Sequence, residues 1–181
     1  MVSQLLFGET FRVVEDYKNW LRINTTFDSY EGWIDRKLVT ALEELPSSSL
    51  HTVTNHIVRA TKTGEKFPIL LSPGSDIYNY SAANHSFTIA NRSYTLSELP
   101  CINGTKNVRD EIIRLASLYI NTPYLWGGRS AFGIDCSGLV QVVLKMVGIT
   151  MPRDAYQQVS IGETIDFPSM AAPGDLAFFD N

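Results

Sequence analysis

Asp135-Cys136-Ser137-Gly138 runs straight into Leu139–Val147, a stretch that is apolar at almost every position. A helix that is apolar nearly all round belongs at the centre of its domain. The helix is therefore predicted from about Cys136 to Val147, with Gly148 ending it. Its approach is rich in glycine and aromatics: Tyr124-Leu125-Trp126-Gly127-Gly128, then Gly133. Upstream, Val108, Ile112, Leu115, Ala116 and Tyr119 follow helical spacing. They predict a helix over 107–121, capped by Asn107 and stopped near Thr122-Pro123. Downstream, Asp175-Leu176-Ala177-Phe178-Phe179 reads as the first strand of a sheet.

A cysteine at a helix start has two readings. One is a buried structural thiol, a common fate for a free cysteine. The other is a nucleophile. A thiol is mostly protonated at neutral pH, and the positive end of a helix dipole or a neighbouring cation favours the reactive thiolate. The free N–H groups of the first turn are also the donors that a developing oxyanion needs. Asp135 is placed to cap the helix, and Gly138 lets other backbone approach its first turn. One fact constrains the nucleophilic reading: His51, His56 and His85, the three histidines, all precede Cys136. Cys101 is the second cysteine. The pair forms neither a disulfide framework nor a Cys-x-x-Cys metal or redox motif.

The first hundred residues have a different character. Phe11–Glu15, Trp20–Asn24 and a segment starting at Trp33-Ile34 read as short strands around turns at Asp16–Asn19 and Asp28–Gly32. Pro46-Ser47-Ser48-Ser49 is a composition break. Beyond it, Phe67–Leu71, Ile77–Tyr80 and Ser86–Ala90 are strand candidates. Two small β-barrels followed by an α+β unit account for this order. The boundaries expected are 1–45, 46–103 and 104–181.

Charge excludes some partners. The chain carries 15 Lys and Arg against 19 Asp and Glu, a net charge of -4, with the basic residues scattered. That is no footprint for nucleic acid. No apolar run approaches the ~20 residues of a membrane span. Met1–Gly8 lacks the basic and long apolar regions of a signal peptide, which leaves the compartment open.

Pro123–Gly128, Gly133–Val140, Pro152–Gln158 and Pro173–Phe179, in that order and spacing, resemble the NlpC/P60 family of bacterial cell-wall cysteine peptidases. Gln4–Glu9 and Asp28–Ile34 resemble bacterial SH3-like modules. The resemblance implies an α+β fold of two SH3-like β-barrels followed by a papain-like domain. The combination is similar to γ-D-glutamyl-L-diamino acid endopeptidases, hydrolases that cut murein peptides with a free N-terminal L-alanine. It implies peptidoglycan stem peptides, such as a murein tripeptide, as partners, and neither a metal nor another cofactor.

Carried over by position, Cys136 is the nucleophile and Tyr124 shapes the oxyanion site. Asp135 and Ser137 line the pocket, the Asp135 carboxylate pairing with the substrate ammonium. Glu9 and Tyr30 close the site from the first module. Arg153-Asp154 reads as a structural ion pair, and Trp126 as packing. The family's catalytic histidine lies on a later strand, so the chain is expected to be a fragment that is inactive alone. A wall-peptide-binding module and a papain-like acyltransferase are the alternative readings.

Overall fold

The computed structural model describes residues 2–42, 50–100 and 107–179. The junctions expected at 45/46 and 103/104, the Pro46–Ser49 break and Cys101 fall outside the described residues.

Strands β1 (Phe11–Tyr17), β2 (Trp20–Thr25) and β3 (Glu31–Asp35) form an antiparallel sheet in that order. The β1–β2 turn is Lys18-Asn19, with Lys18 at φ 55. Period-2 alternation puts Leu21 and Ile23 of β2 in the interior and Trp20 on the outside. Trp20 and Trp33 are exposed, so neither belongs to a barrel core. A short 3-10 turn, Arg36–Leu38, follows β3.

The second module contains β4 (Leu50–Thr52), β5 (Val58–Lys62), β6 (Ile69–Leu71), β7 (Asp76–Tyr78), β8 (Ser86–Ile89) and β9 (Arg92–Leu96). Its sheets are β6-β5-β9-β8 and the pair β4-β7. Val53, Val58, Ala60, Leu71, Ile77, Phe87, Tyr94 and Leu96 make its core. Phe87 and Tyr94 stack at 4.9 Å.

The third part opens with α1 (Val108–Ser117), capped by Asn107 as expected. It ends four residues short of the predicted limit. The hairpin β10 (Arg129–Ser130) and β11 (Gly133–Ile134) then leads into α2 (Cys136–Met146) and the single turn α3 (Ala155–Gln158). Gly148, at φ 82, follows α2 in the left-handed conformation that favours glycine. Leu115, Tyr119, Ile134, Val142, Val143 and Met146 form the core around α2, with Leu6 among them. Asp175–Phe179 is not a strand: no neighbour among the described residues supplies the ladder that would make it one.

The segment Leu6–Glu9 holds the three parts together. Leu6 enters the α2 core, whereas Phe7 points into the second module, edge-on to Phe87 and Tyr94 at 5.9 and 5.7 Å. Leu6 to Glu9 is a tight turn, closed by the Glu9 N–H donating to the Leu6 carbonyl at 3.2 Å, and within it one dipeptide enters two cores. Gly8 follows at φ 83, and a Cβ there would collide with the Asp76 carbonyl. The Phe7 carbonyl accepts from the Asp76 N–H at 2.8 Å, and the Gly8 carbonyl from the Tyr78 hydroxyl at 3.0 Å.

Glu9 then enters a buried ion cluster. Arg129 donates to both its carboxylate oxygens, at 2.9 and 3.0 Å, and Lys145 to Oε1 at 2.9 Å. Lys145 also donates to Asp76 Oδ2 and the Gly74 carbonyl, each at 2.9 Å, so all three of its donors are used. The side chains of Glu9, Arg129 and Lys145 are 3%, 4% and 5% exposed. Burial alone would raise the Glu9 pKa, yet the two cations hold it below the ordinary value. Asp76, where burial prevails over its share of Lys145, is pushed up.

Replacing one member of such a cluster strands the others. Lys145→Met is expected to cost about 3–5 kcal/mol of unfolding free energy, the range for breaking a buried ion pair. Urea denaturation checks it. A loss under ~1 kcal/mol, the range for exposed pairs, would show that the cluster does not join the modules.

Candidate active site

Cys136 is a free, exposed thiol and the first residue of α2. Asp135 is its N-cap, with Oδ1 accepting the Gly138 N–H at 2.7 Å. Its other oxygen accepts the Gly127 N–H at 2.8 Å. One carboxylate therefore ties the helix start to the glycine loop before it. That loop passes directly under the first turn. A Cβ on Gly138 would strike the Gly128 carbonyl, which also accepts from the Asp135 N–H at 3.2 Å. The glycines of the motif thus allow two stretches of backbone to touch. The N–H groups of Cys136 and Ser137 precede the first intrahelical bond, beside the thiol.

Arg153 completes the base of the site. Its guanidinium binds Asp135 in a fork, at 3.0 Å to Oδ1 and 2.6 Å to Oδ2. It also donates to the Ser137 hydroxyl at 2.8 Å and to the Ser3 hydroxyl at 3.1 Å. Arg153 is almost wholly buried. It pairs with Asp135, across the site, rather than with its neighbour Asp154 as the sequence suggested. Gln158 fixes the next layer, donating to the Ser137 carbonyl at 3.0 Å and the Pro152 carbonyl at 2.8 Å.

The six residues singled out in the sequence fall into two groups. Cys136, Ser137, Asp135 and Tyr124 lie together at the head of α2. Tyr124 is exposed, and its backbone bridges Ile134, two residues before Cys136. Tyr30 is half-buried in the loop between β2 and β3. Its hydroxyl pKa is raised above the ordinary value, first by burial and then by the Asp154 carboxylate, with Arg153 opposing and Tyr156 and Asp28 adding to it. The Arg153–Ser3 bond, and Gln141 bonded to both Asp28 and the Met151 carbonyl, bring the first module against the segment after α2. Glu9 is in the ion cluster, both oxygens engaged by Arg129 and Lys145. A substrate ammonium at Glu9 would be a third cation on one carboxylate, and at Asp135 it would meet a carboxylate already neutralised by Arg153.

Asp154 was missed. It forms a capping box with Gln157 at the start of α3 and, among the described residues, no ion pair. The available signal was Asp154, then an apolar residue, then Gln157 three positions on, a helix-start pattern. Trp126 is exposed and is not packing. All three histidines sit in the second module; His51 is in β4, edge-on to Tyr80 at 5.5 Å. Among the described residues no group of three His, Cys, Asp or Glu side chains is arranged to hold a metal ion, and no helix is long and apolar enough to cross a membrane.

Residues 121–181 match the NlpC/P60 family, and residues 1–37 match the bacterial dipeptidyl-peptidase Sh3 domain. The chain therefore carries a bacterial SH3 domain at its start and an NlpC/P60 domain built around α2. It is 30% identical over 196 residues to the gamma-D-glutamyl-L-lysine dipeptidyl-peptidase of Bacillus subtilis, covering 98% of this chain and 63% of that protein. The Bacillus cereus protein of the same name is 28% identical, over 98% of this chain and 59% of that one. In fold it matches the crystal structure of an NlpC/P60 family protein from Bacillus cereus, with TM-score 0.80, 22% identity, and coverage of 96% of this chain and 63% of that one. The chain spans about three fifths of the length of these relatives.

Arg153 governs the acid stability of this site. Burial works to raise the Asp135 pKa, but the Arg153 bonds and the Gly138 and Gly127 N–H groups outweigh it and hold it below the ordinary value. A lowered folded-state pKa adds stability above the unfolded value of about 4, lost as pH falls through the folded value. Arg153→Ala should therefore shift acid unfolding, followed by circular dichroism, to higher pH. An unchanged midpoint would mean that Arg153 does not hold the Asp135 charge.

Proposed function

We propose that this chain is part of a cysteine peptidase that hydrolyses the γ-D-glutamyl–L-diamino acid bond of murein peptides with a free N-terminal L-alanine. One observation carries the reading: an exposed, unpaired thiol begins a buried helix whose cap is locked by Arg153. The name of the two Bacillus relatives, a dipeptidyl-peptidase at γ-D-glutamyl-L-lysine, supports both the bond and a free N-terminus. It favours lysine as the diamino acid.

The thiolate of Cys136 attacks the γ-carbonyl carbon. The tetrahedral oxyanion is met by the N–H groups at the head of α2, on the side where Tyr124 stands. The carbon–nitrogen bond breaks, the diamino acid leaves as a protonated amine, and the dipeptide remains as a thioester on Sγ. Water then releases it and regenerates the thiol. Both proton transfers need a general base. With His51, His56 and His85 in the second module, that base comes from outside the described residues.

The free N-terminus is read where the segment after α2 meets the first module. Asp135 and Glu9 have their charges met within the protein and act by holding the helix head and the first module. Asp154 makes no ion pair among the described residues and caps α3 next to Arg153; it receives the substrate ammonium, with Ser137 along the pocket wall. A buried ammonium needs such a partner.

In the full-length protein, Cys136→Ala abolishes release of L-lysine from L-Ala-γ-D-Glu-L-Lys. Acetylating the alanine amine, or Asp154→Asn with the free peptide, lowers kcat/KM by roughly 30-fold or more, the cost of unpairing a desolvated charge. Turnover by Cys136→Ala would end the nucleophile assignment. Equal cleavage of the acetylated peptide would end the ammonium site.

A further inference from the structure

We propose that Gln141 is a positioning residue that sets the distance between the β2–β3 loop and the segment before α3, the two walls of the proposed ammonium site, and so fixes the preference for a free N-terminus. This rests on the function proposed above. Gln141 lies on α2, five residues beyond Cys136, about 7.5 Å further along the helix axis. It is fully buried, at 0% exposure. Its side-chain nitrogen has two hydrogens to give, and each goes to a different wall.

The first wall is the β2–β3 loop. Gln141 Nε2 donates to Asp28 Oδ2 at 2.7 Å. Asp28 Oδ1 in turn accepts the Tyr30 N–H at 3.2 Å and the Thr25 hydroxyl. The Tyr30 backbone is thus set by a carboxylate that Gln141 holds. The second wall is the segment before α3. The same nitrogen donates to the Met151 carbonyl at 3.0 Å. From there to Asp154 the chain has little freedom. Pro152 has a fixed φ and its carbonyl is bound by Gln158, Arg153 is clamped on Asp135, and Asp154 caps α3.

One amide nitrogen therefore spans from Tyr30's support to Asp154's support. Its carbonyl Oε1 is buried without a partner among the described residues. An apolar side chain of similar volume would fill the same space and bury no unsatisfied oxygen. The two donors are what the position requires.

The test uses the full-length protein carrying Cys136→Ala, so that intact peptide persists, and reads binding by calorimetry. L-Ala-γ-D-Glu-L-Lys is compared with its N-acetyl form. Adding Gln141→Met should weaken binding of the free-amine peptide by about tenfold or more, the effect of losing a well-placed polar contact, while the acetylated peptide changes by less than about twofold. Asp28→Ala, which releases the Tyr30 wall alone, should act in the same direction and carries the test if Gln141→Met does not fold. With Cys136 restored, the iodoacetamide alkylation rate of the Gln141→Met thiol should match that of the unaltered protein.

Undiminished preference for the free amine in both variants would overturn the proposal. So would parallel loss of both peptides together with slowed alkylation, the sign of a merely structural residue. Failure of Cys136→Ala alone to bind the free-amine peptide would remove the ammonium site and this inference with it. Binding that neither Gln141→Met nor Asp28→Ala affects would remove only this inference.

Discussion

The Glu9 carboxylate is the point on which the three parts converge. It accepts the Leu6 N–H at 2.9 Å, the Arg129 fork and one donor of Lys145. Leu6-Phe7-Gly8 delivers it there by sending one side chain into each neighbouring core. Lys145 extends the grip to Gly74 and Asp76 of the second module. Glu9 and Asp76 balance Arg129 and Lys145, so the buried cluster carries no net charge. Such a cluster is a poor source of net stability but a strict one of alignment, because every misplacement leaves a charge unpaired.

Alignment matters because both cations belong to the framework around Cys136. Arg129 opens the hairpin that leads to Cys136, and the Gly128 carbonyl beside it lies against Gly138. Lys145 is nine residues along the helix that Cys136 begins. The hold on the first module therefore reaches the thiol from both ends. Asp135 and Arg153 do the same work on the other side, joining the glycine loop, the helix cap and the segment before α3. The thiol itself makes none of these contacts. It is exposed at the end of a helix whose position is fixed elsewhere, an arrangement that suits the nucleophilic role proposed for it.

Much of this was legible in the sequence where the signal is local. Asn107 and Asp135 cap the two helices as read, Gly148 ends α2, and β2 follows its alternation, whereas β1 and β3 each take in two residues read as turn, Asp16-Tyr17 and Glu31-Gly32. What was not legible is long-range. Glu9 meets Arg129 and Lys145 across 120 and 136 residues, and neither cation stood out from a scattered set. Arg153 was paired with its neighbour because adjacency is all that a sequence displays. The guanidinium turns inward to Asp135 and leaves Asp154 to cap α3. In the second module β5 was passed over, although Val58 and Ala60 alternate with Arg59 as a half-buried strand should. Asp175–Phe179 has strand composition, but a strand exists only with its neighbour.

The proposed mechanism requires covalent chemistry at one sulfur. Acid-quenched mass spectrometry of the full-length protein during turnover of L-Ala-γ-D-Glu-L-Lys tests it most directly. The account predicts an L-Ala-γ-D-glutamyl adduct on the peptide containing Cys136, lost on treatment with hydroxylamine as a thioester is. Continued cleavage by protein whose Cys136 has been alkylated, with no adduct at that position, would contradict it.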